Sequence, residues 1–320
     1  MSRILGGMLL LISLLLCGCA PLLAEMIVTA PNRFNPFVGN PDLTPPPLET
    51  IAADQHFYVP VGPPDALLSV SILEPKAASD TESHPPKGTI LVLHGIRNRG
   101  FWMLGTARRL SEAGYRTVLV DLRGHGHSTG EWLTYGPREA QDLTQVIDEL
   151  GRRKLIDGRL GVYGISYGAT TAIHLAGIDR RIEAVVAVAP FGSMREEVPH
   201  YFRTALPGIG SLIPEATYQE AIDEAGRKGG FDPDESNARA AIQHTNARVL
   251  ILHGTGDWLV PPENAGKLQE SSGGRASTVL LPGEGHISIW FDTHGEVAEY
   301  TRLWFNRWLW IRREPRGGEN

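Results

Sequence analysis

The sequence predicts an α/β fold in which helices cover both faces of a mainly parallel central sheet and a helical cap is inserted late in the chain. Short apolar runs typical of buried strands alternate with amphipathic helical segments after a polar loop at 76–87. One such run, Leu160 to Tyr163, passes through Gly164-Ile165-Ser166-Tyr167-Gly168 into a helical segment of small residues. More than fifty residues between Phe191 and Arg248 add no strand, which is typical of an insertion over a site.

The first eighteen residues predict a bacterial lipoprotein signal peptide. Arg3 precedes an apolar run from Ile4 to Leu16, which is too short to cross a bilayer comfortably. The run leads into LCGC at 16–19, which matches a lipobox, so we expect cleavage before Cys19 and acylation of its thiol. Ordinary secretion with cleavage near Ala24 is the alternative. No disulfide framework would remain, because the chain has only two cysteines.

The following segment, residues 19–53, predicts an extended tether. It is rich in Pro and Asn, contains Pro45-Pro46-Pro47, and shows no sustained periodicity. After it, His56 to Val61 and Ala66 to Leu73 predict an opening hairpin. With an acylated cysteine, the domain would be lipid-anchored in a bacterial cell envelope. The absence of Asp after that cysteine favours the outer membrane in a Gram-negative host.

Candidate catalytic side chains follow three predicted strands. Ser166 follows the run described above, Asp257 follows Val249 to Leu252, and His286 follows Thr278 to Leu281. The carboxyl ends of parallel strands meet at one edge of a sheet, so these side chains are expected to lie close together. A sharp turn from strand to helix would also expose the serine hydroxyl. The order nucleophile, acid, histidine therefore predicts a catalytic triad.

With these motifs, the sequence resembles the α/β-hydrolase superfamily over roughly residues 55 to 311. The segment DLRGHGHS at 121–128 resembles the turn after the fourth strand in its lipase, esterase and peptidase branches. The closest likeness is to the serine aminopeptidase or monoacylglycerol-lipase type of domain. The resemblance implies an α/β-hydrolase fold, no cofactor, and an oxyanion hole formed by the amides of Ile96 and Tyr167.

This resemblance and the composition shifts define the predicted boundaries. These are the signal peptide at 1–18, the tether at 19–53, the α/β-hydrolase domain at 54–313 with its cap at 192–246, and a C-terminal tail at 314–320.

Several residues compete for the catalytic roles. Asp232 and Asp234 in the cap are alternative acids, whereas Asp121 precedes the serine and does not fit the expected order. His286 is preferred among the histidines because it alone follows the last strand in a Gly-flanked loop. The competing histidines are His94, His125, His127, His174, His253 and His294. The spacing of His125 and His127 resembles a metal-binding motif, but no further ligands cluster nearby, so no metal is expected.

The composition limits the size of the domain and the kind of partner it can bind. The chain has 320 residues, 42% of them hydrophobic and 21% charged, which suits one medium-sized domain. A formal charge of -6 without clusters of Lys or Arg argues against nucleic acid as a partner. We expect a serine hydrolase that cleaves a small-molecule carboxylic ester or related acyl bond through an acyl-enzyme. An aminopeptidase or amidase, an acyltransferase and a non-catalytic binding lipoprotein are the alternatives, and the sequence leaves the oligomeric state open.

Overall fold

The computed structural model describes residues 20–32, 52–76 and 85–310. The predicted signal peptide, Cys19 and the predicted tail at 314–320 lie outside the described residues. Within the described ranges, every helix is too short or too polar to cross a membrane.

One eight-stranded sheet organises the domain, with the strand order β1-β2-β4-β3-β5-β6-β7-β8. The first two strands form an antiparallel hairpin, β2 pairs antiparallel with β4, and all other neighbours are parallel. This arrangement confirms the predicted mainly parallel sheet. The strands are β1 (Gln55–Val61), β2 (Ala66–Leu73), β3 (Gly88–Leu93), β4 (Arg116–Val120), β5 (Arg159–Ile165), β6 (Ile182–Val188), β7 (Arg248–Gly254) and β8 (Ala276–Leu281).

Helices cover both faces of this sheet. Successive strand residues point to opposite faces, so in β3 Leu91 and Leu93 enter one apolar cluster while Ile90 and Val92 enter the other. Both clusters consist of buried side chains, which explains why the strands appear in the sequence as continuous apolar runs. The helices are α1 (Ala20–Val28), α2 (Leu104–Glu112), α3 (Pro137–Arg152), α4 (Tyr167–Ile178), α5 (Met194–Ala205), α6 (Ile209–Leu212), α7 (Glu215–Gly229), α8 (Ala238–Ala241), α9 (Glu263–Ser271), α10 (Ser288–Phe291) and α11 (Glu296–Trp308).

Helices α5 to α8 lie between β6 and β7, in the segment where the sequence predicts a cap. Ser193 caps the start of α5 by accepting a hydrogen bond from the Glu196 amide at 3.4 Å. Gly230 ends α7 in a left-handed conformation with φ 65°. These local signals place two long helices over the carboxyl ends of the strands.

The extended tether predicted over 19–53 is wrong for its first part, because Ala20–Val28 forms α1 and packs on the cap. Its buried residues repeat at helical spacing, and Glu25 forms an ion pair with Lys228 of α7. The chain after this helix forms a bridge between Thr29 and Trp132. The helix therefore belongs to the folded domain. Its buried residues are Ala20, Leu23, Ala24, Ile27 and Val28.

Candidate active site

The structure brings the three side chains of the predicted triad together. The Nε2 atom of His286 lies 3.0 Å from the Oγ atom of Ser166, and its Nδ1 atom lies 2.7 Å from the Oδ2 atom of Asp257. Both distances are within hydrogen-bond range. With Nδ1 donating to the carboxylate, Nε2 is free to accept the serine proton, as general-base catalysis requires.

Ser166 lies at a tight turn between β5 and α4. Its backbone has φ 52° and ψ -116°, which is a strained conformation for a residue with a side chain. The turn needs glycine on either side, because a Cβ on Gly164 would come within 2.2 Å of the carbonyl oxygen of Gly168. The Ser166 amide donates to the carbonyl of Val188 in β6 at 2.8 Å. These constraints fix the hydroxyl at the edge of the sheet.

Asp257 is held by the loop that follows β7. Its Oδ1 atom accepts hydrogen bonds from the amides of Leu259 at 3.0 Å and Val260 at 2.9 Å. Burial alone would raise the pKa of this carboxyl, but hydrogen bonds from His253 and His286 hold the pKa well below its ordinary range. The group is therefore ionised at neutral pH. Sequence reasoning missed the contribution of His253, because nothing in the pattern shows that it faces the acid.

The alternative acids serve other contacts. Asp232 caps a short 3₁₀ helix in the cap by accepting from the amide of Asp234 at 2.9 Å. The side chain of Asp234 is 68% exposed and forms an ion pair with Arg195. Asp121 is buried, and its Oδ2 atom accepts from the amide of His127 at 2.8 Å. None of these three carboxylates hydrogen-bonds to His286 in the described structure, whereas Asp257 does.

The predicted oxyanion-hole residues, Ile96 and Tyr167, line the same pocket as Ser166. Tyr167 is the first residue of α4, so its amide is among those without a helical acceptor, and it lies at the positive end of the helix dipole. An anion that develops near the serine would be stabilised there.

His94 fixes the turn that leads to Ile96. Its Nε2 atom accepts from the amide of Leu122 at 3.0 Å, so Nδ1 carries the hydrogen and donates to the carbonyl of Gly95 at 2.8 Å. Burial lowers the pKa of His94, which keeps the ring neutral in this arrangement. The residue thus shapes the turn, in agreement with its place directly after β3.

The side chain of Tyr167 extends the site into a buried network. Its hydroxyl donates to Glu139 at 2.8 Å and accepts from the amide of Tyr135 at 3.3 Å. The hydroxyl of Tyr135 in turn donates to the carbonyl of Ile27 in α1 at 2.9 Å. The network therefore connects the oxyanion turn with the N-terminal helix, a connection that the sequence pattern does not reveal.

Comparisons with known proteins agree with this geometry. Residues 66–220 match the family described as X-Pro dipeptidyl-peptidase (S15 family). A Rattus norvegicus protein named "Putative protein-lysine deacylase ABHD14B" is 32% identical over 190 residues, which cover 55% of this chain and 79% of that protein. The chain belongs to the α/β-hydrolase superfamily. Within it, the chain is of the serine-hydrolase type.

Two further comparisons match most of this chain. YqkD of Bacillus subtilis is 27% identical over 216 residues, which cover 66% of this chain and 69% of YqkD. The solved structure of the Pyrococcus furiosus esterase Pf2001 matches with a TM-score of 0.60 and 20% identity, covering 85% of this chain and 96% of the esterase. At that identity the structural match shows the fold alone.

The α/β-hydrolase site opens into a largely apolar pocket of about 210 Å³. One wall comes from the cap helix α5, through Val198, Tyr201 and Phe202. A second part of the lining comes from α1, through Met26 and Ile27. The N-terminal helix therefore helps to form the pocket in which the triad serine and histidine lie.

One acidic side chain, Glu197 of α5, also lines this pocket. The residue is only 7% exposed, and its Oε1 atom has no hydrogen-bond partner among the described residues. Burial, followed by the negative charge of Asp257, raises the pKa of Glu197 to about 8. Its carboxyl is therefore mostly protonated at neutral pH. The sequence did not single out this residue.

Two other buried histidines, His125 and His174, remain neutral. Burial lowers the pKa of His125 to about 3 and that of His174 to about 4. The described ranges contain no group of three or more His, Cys, Asp or Glu side chains with a geometry that could hold a metal ion.

Proposed function

We propose that this serine hydrolase cleaves carboxylic esters through an acyl-enzyme on Ser166. The observation that supports it most directly is the hydrogen-bonded chain from the serine through His286 to Asp257. As Oγ attacks the ester carbonyl, Nε2 of the histidine takes the hydroxyl proton. When the tetrahedral intermediate collapses, the C–O bond to the alcohol breaks and the same proton passes to the leaving oxygen. Water then attacks the acyl-enzyme by the same route and releases the carboxylic acid.

In this mechanism the acid and the oxyanion hole supply electrostatic stabilisation. Asp257, which is ionised and hydrogen-bonded on both oxygens, orients the His286 ring and stabilises its cation. The amides of Ile96 and Tyr167 would bind the oxyanion of the tetrahedral intermediate. A single donor of this kind typically contributes a factor of about 10² to 10³ to the catalytic rate.

The pocket supports an ester with an apolar acyl group over an aminoacyl substrate. A peptidase that takes a free N-terminus benefits from an anion that pairs with the ammonium group. Here the acidic side chain in the pocket is Glu197, whose raised pKa leaves it mostly uncharged at neutral pH in the empty pocket, so an ammonium group would have to ionise it before pairing with it. Amide cleavage remains the second candidate, because the matching family is described as a dipeptidyl-peptidase and the rat relative is named as a lysine deacylase. Acyl transfer to an alcohol would use the same acyl-enzyme.

Labelling followed by a substrate panel tests this proposal. A fluorophosphonate should modify the parent protein at Ser166 and leave Ser166→Ala unlabelled. Esters of increasing acyl length should then be cleaved faster than aminoacyl amides, X-Pro peptides and acyl-lysine peptides. Labelling at another residue, or faster cleavage of the amide than of the ester with the same acyl group, would contradict it.

We also propose that Cys19 is acylated and holds the domain in the cell envelope. The proposal rests on the apolar run and the LCGC motif before the first described helix. Cys19→Ser should release the protein from the membrane fraction without abolishing ester hydrolysis. Mass spectrometry that finds an unmodified N-terminus after Ala24 would contradict it.

The cap at 192–246 is proposed to select the acyl group. Its helix α5 supplies three apolar side chains and Glu197 to the pocket. Replacing Phe202 with Ala should shift the preference towards longer acyl groups while fluorophosphonate labelling persists. An unchanged order of preference across the ester panel would count against this role.

A further inference from the structure

The N-terminal helix and the cap place an exposed apolar surface next to the predicted acylation site. This surface, here named the apolar tip, consists of Leu22, Leu206, Ile209 and Leu212. Ile209 is 69% exposed, Leu212 is 74% exposed and Leu22 is 64% exposed. Large apolar side chains exposed to this extent in one region are typical of a surface that binds a partner or a membrane.

The relative direction of α1 and α7 brings these residues together. At the end of both helices, Val28 lies against Gly229, where an added Cβ would come within 3.0 Å of Val28 Cγ2. Glu25 of α1 also pairs with Lys228 of α7. Because α1 packs along α7 and its last residue lies against the last residue of α7, the two helices run in the same direction, and the start of α1 lies towards the start of α7.

The short helix α6 lies at that same end of α7. The hydroxyl of Tyr218, in the first turns of α7, donates to the carbonyl of Gly210 at 2.8 Å. The amide of Gly210 donates to the carbonyl of Leu206 at 2.8 Å. The exposed residues Ile209 and Leu212 lie on either side of Gly210 in the chain. The beginning of α1 and the exposed part of the cap thus both lie towards the start of α7.

Two of the three helices that carry the apolar tip, α1 and α5, also line the pocket. Leu22 lies one helical turn before Met26 of α1, and Leu206 lies one turn after Phe202 of α5. On each of these helices, the exposed leucine therefore lies one turn from a residue of the pocket wall. Because α1 begins at Ala20, directly after the predicted acylated cysteine, only about 10 Å of helix separates that cysteine from the pocket wall.

From these contacts we infer that the apolar tip docks on the lipid bilayer that holds Cys19, and that the pocket takes its acyl substrate directly from that bilayer. The acyl anchor alone would leave the domain free to rotate, whereas helix α1 connects it rigidly to the cap. Exposed Leu and Ile side chains would then enter the interface between headgroups and acyl chains. The substrate class that follows is a membrane-resident ester with a long acyl chain. This last step rests on the proposed ester hydrolysis, while the docking itself does not.

A fluorescent label tests the docking without any need for catalysis. The chain has only two cysteines, both within the predicted signal and acylation motif, so Leu212→Cys introduces a single thiol into the mature acylated protein. The matched control is Ile178→Cys, because Ile178 is 56% exposed but lies at the far end of α4 from Ser166. Each variant is labelled with an environment-sensitive dye and reconstituted into vesicles of phosphatidylethanolamine and phosphatidylglycerol containing brominated lipid. The dye at 212 should be quenched and the dye at 178 should not.

A spacer tests the supply of substrate. Twenty Gly and Ser residues inserted between Cys19 and Ala20 allow the domain to move about 25 Å from the bilayer. Hydrolysis of a long-chain ester in the vesicles should then fall roughly tenfold, because the effective concentration of the tip at the surface falls. Hydrolysis of a water-soluble short-chain ester should stay unchanged. The same insertion between Gly273 and Gly274, which precede the edge strand β8, is the control and should affect neither substrate.

The outcomes separate the two proposals. The docking would be overturned by an unquenched dye at 212, by equal quenching at 178, or by a protein without an acylated cysteine. An unquenched dye at 212 would indicate that a second copy of the chain or another protein covers the apolar tip. Unchanged hydrolysis of the vesicle ester by the spacer variant would overturn the direct supply of substrate. If the parent hydrolyses neither ester, the proposed function fails, while the quenching result still decides the docking.

Discussion

Replacing Glu197 with Gln should remove a distinctive dependence of stability on pH. The carboxyl lies in the pocket with one oxygen unpartnered, and its pKa is raised from an ordinary 4.5 to about 8. Because the folded protein holds this proton more tightly than the unfolded chain, raising the pH from 4.5 to 8 favours unfolding. The charged groups that act on it are Asp257 and Glu196, and Arg97 and His286 line the same pocket.

The size of the effect follows from the two pKa values. Linkage between an unfolded pKa of 4.5 and a folded pKa of about 8 gives a loss of about 2 kcal/mol in the free energy of unfolding from pH 6 to pH 8. Glutamine has a similar shape and does not titrate, so Glu197→Gln should lack this loss. Urea denaturation of both proteins at several pH values measures the difference. Contributions from titrating groups that do not interact with Glu197 cancel when the two curves are subtracted.

A neighbouring residue provides the matched control. Glu196 is a glutamate on the same turn of α5, but hydrogen bonds from Arg239 lower its pKa, so it stays ionised across this range. Glu196→Gln should therefore retain the loss of stability between pH 6 and pH 8, reduced only by the part of the Glu197 pKa shift that the Glu196 charge supplies. If Glu197→Gln and the parent gave parallel curves over this range, Glu197 would have to be ionised in the folded protein. The preference for uncharged acyl groups would then lose its support.

The remaining predictions concern the triad and a buried ion pair. Ser166→Ala and His286→Ala should each lower the catalytic rate by roughly 10⁴-fold to 10⁶-fold, and steady-state kinetics of the double variant should show little further loss, since the two residues act as a unit. Asp257→Asn should cost only roughly 10² to 10⁴-fold, and full activity of this variant would show that the acid is misassigned. Arg123→Ala should lower the free energy of unfolding by about 3 to 5 kcal/mol, because it leaves the buried Asp142 without its bidentate partner at 2.7 Å; circular dichroism during urea denaturation measures this loss.

The sequence predicted the sheet and the location of the site well because both depend on local patterns. Buried parallel strands produce continuous apolar runs, and the turn at Ser166 needs glycine at close-approach positions. Asp257 and His286 could be selected because topology places the ends of neighbouring strands side by side. The distances from His286 to Ser166 and to Asp257 agree with the predicted triad. The catalytic roles of the three residues stay predictions until the variants are measured.

The sequence did not predict α1 or the environment of Glu197, because both depend on how helices dock. The apolar face of Ala20–Val28 spans only nine residues between a signal-like run and a Pro-rich stretch. Its helical periodicity extends over too few turns to be recognised in the sequence. Glu197 precedes Val198 in an amphipathic helix, and periodicity alone does not show that the cap turns this residue towards the pocket. Burial of a carboxyl and its consequence for the pKa emerge only from the packed structure.

The position of α1 links attachment to catalysis through specific contacts. The carbonyl of Ile27 accepts from the Tyr135 hydroxyl, and the Tyr135 amide donates to the hydroxyl of Tyr167, whose own amide is the proposed oxyanion donor. Removing residues 20–30 would therefore unpair a buried hydroxyl and open one wall of the pocket at the same time. Leaving a buried polar group unsatisfied typically costs about 1 to 3 kcal/mol. A soluble version of this protein should consequently retain Ala20 as its first residue, since the segment that follows the anchor also completes the active site.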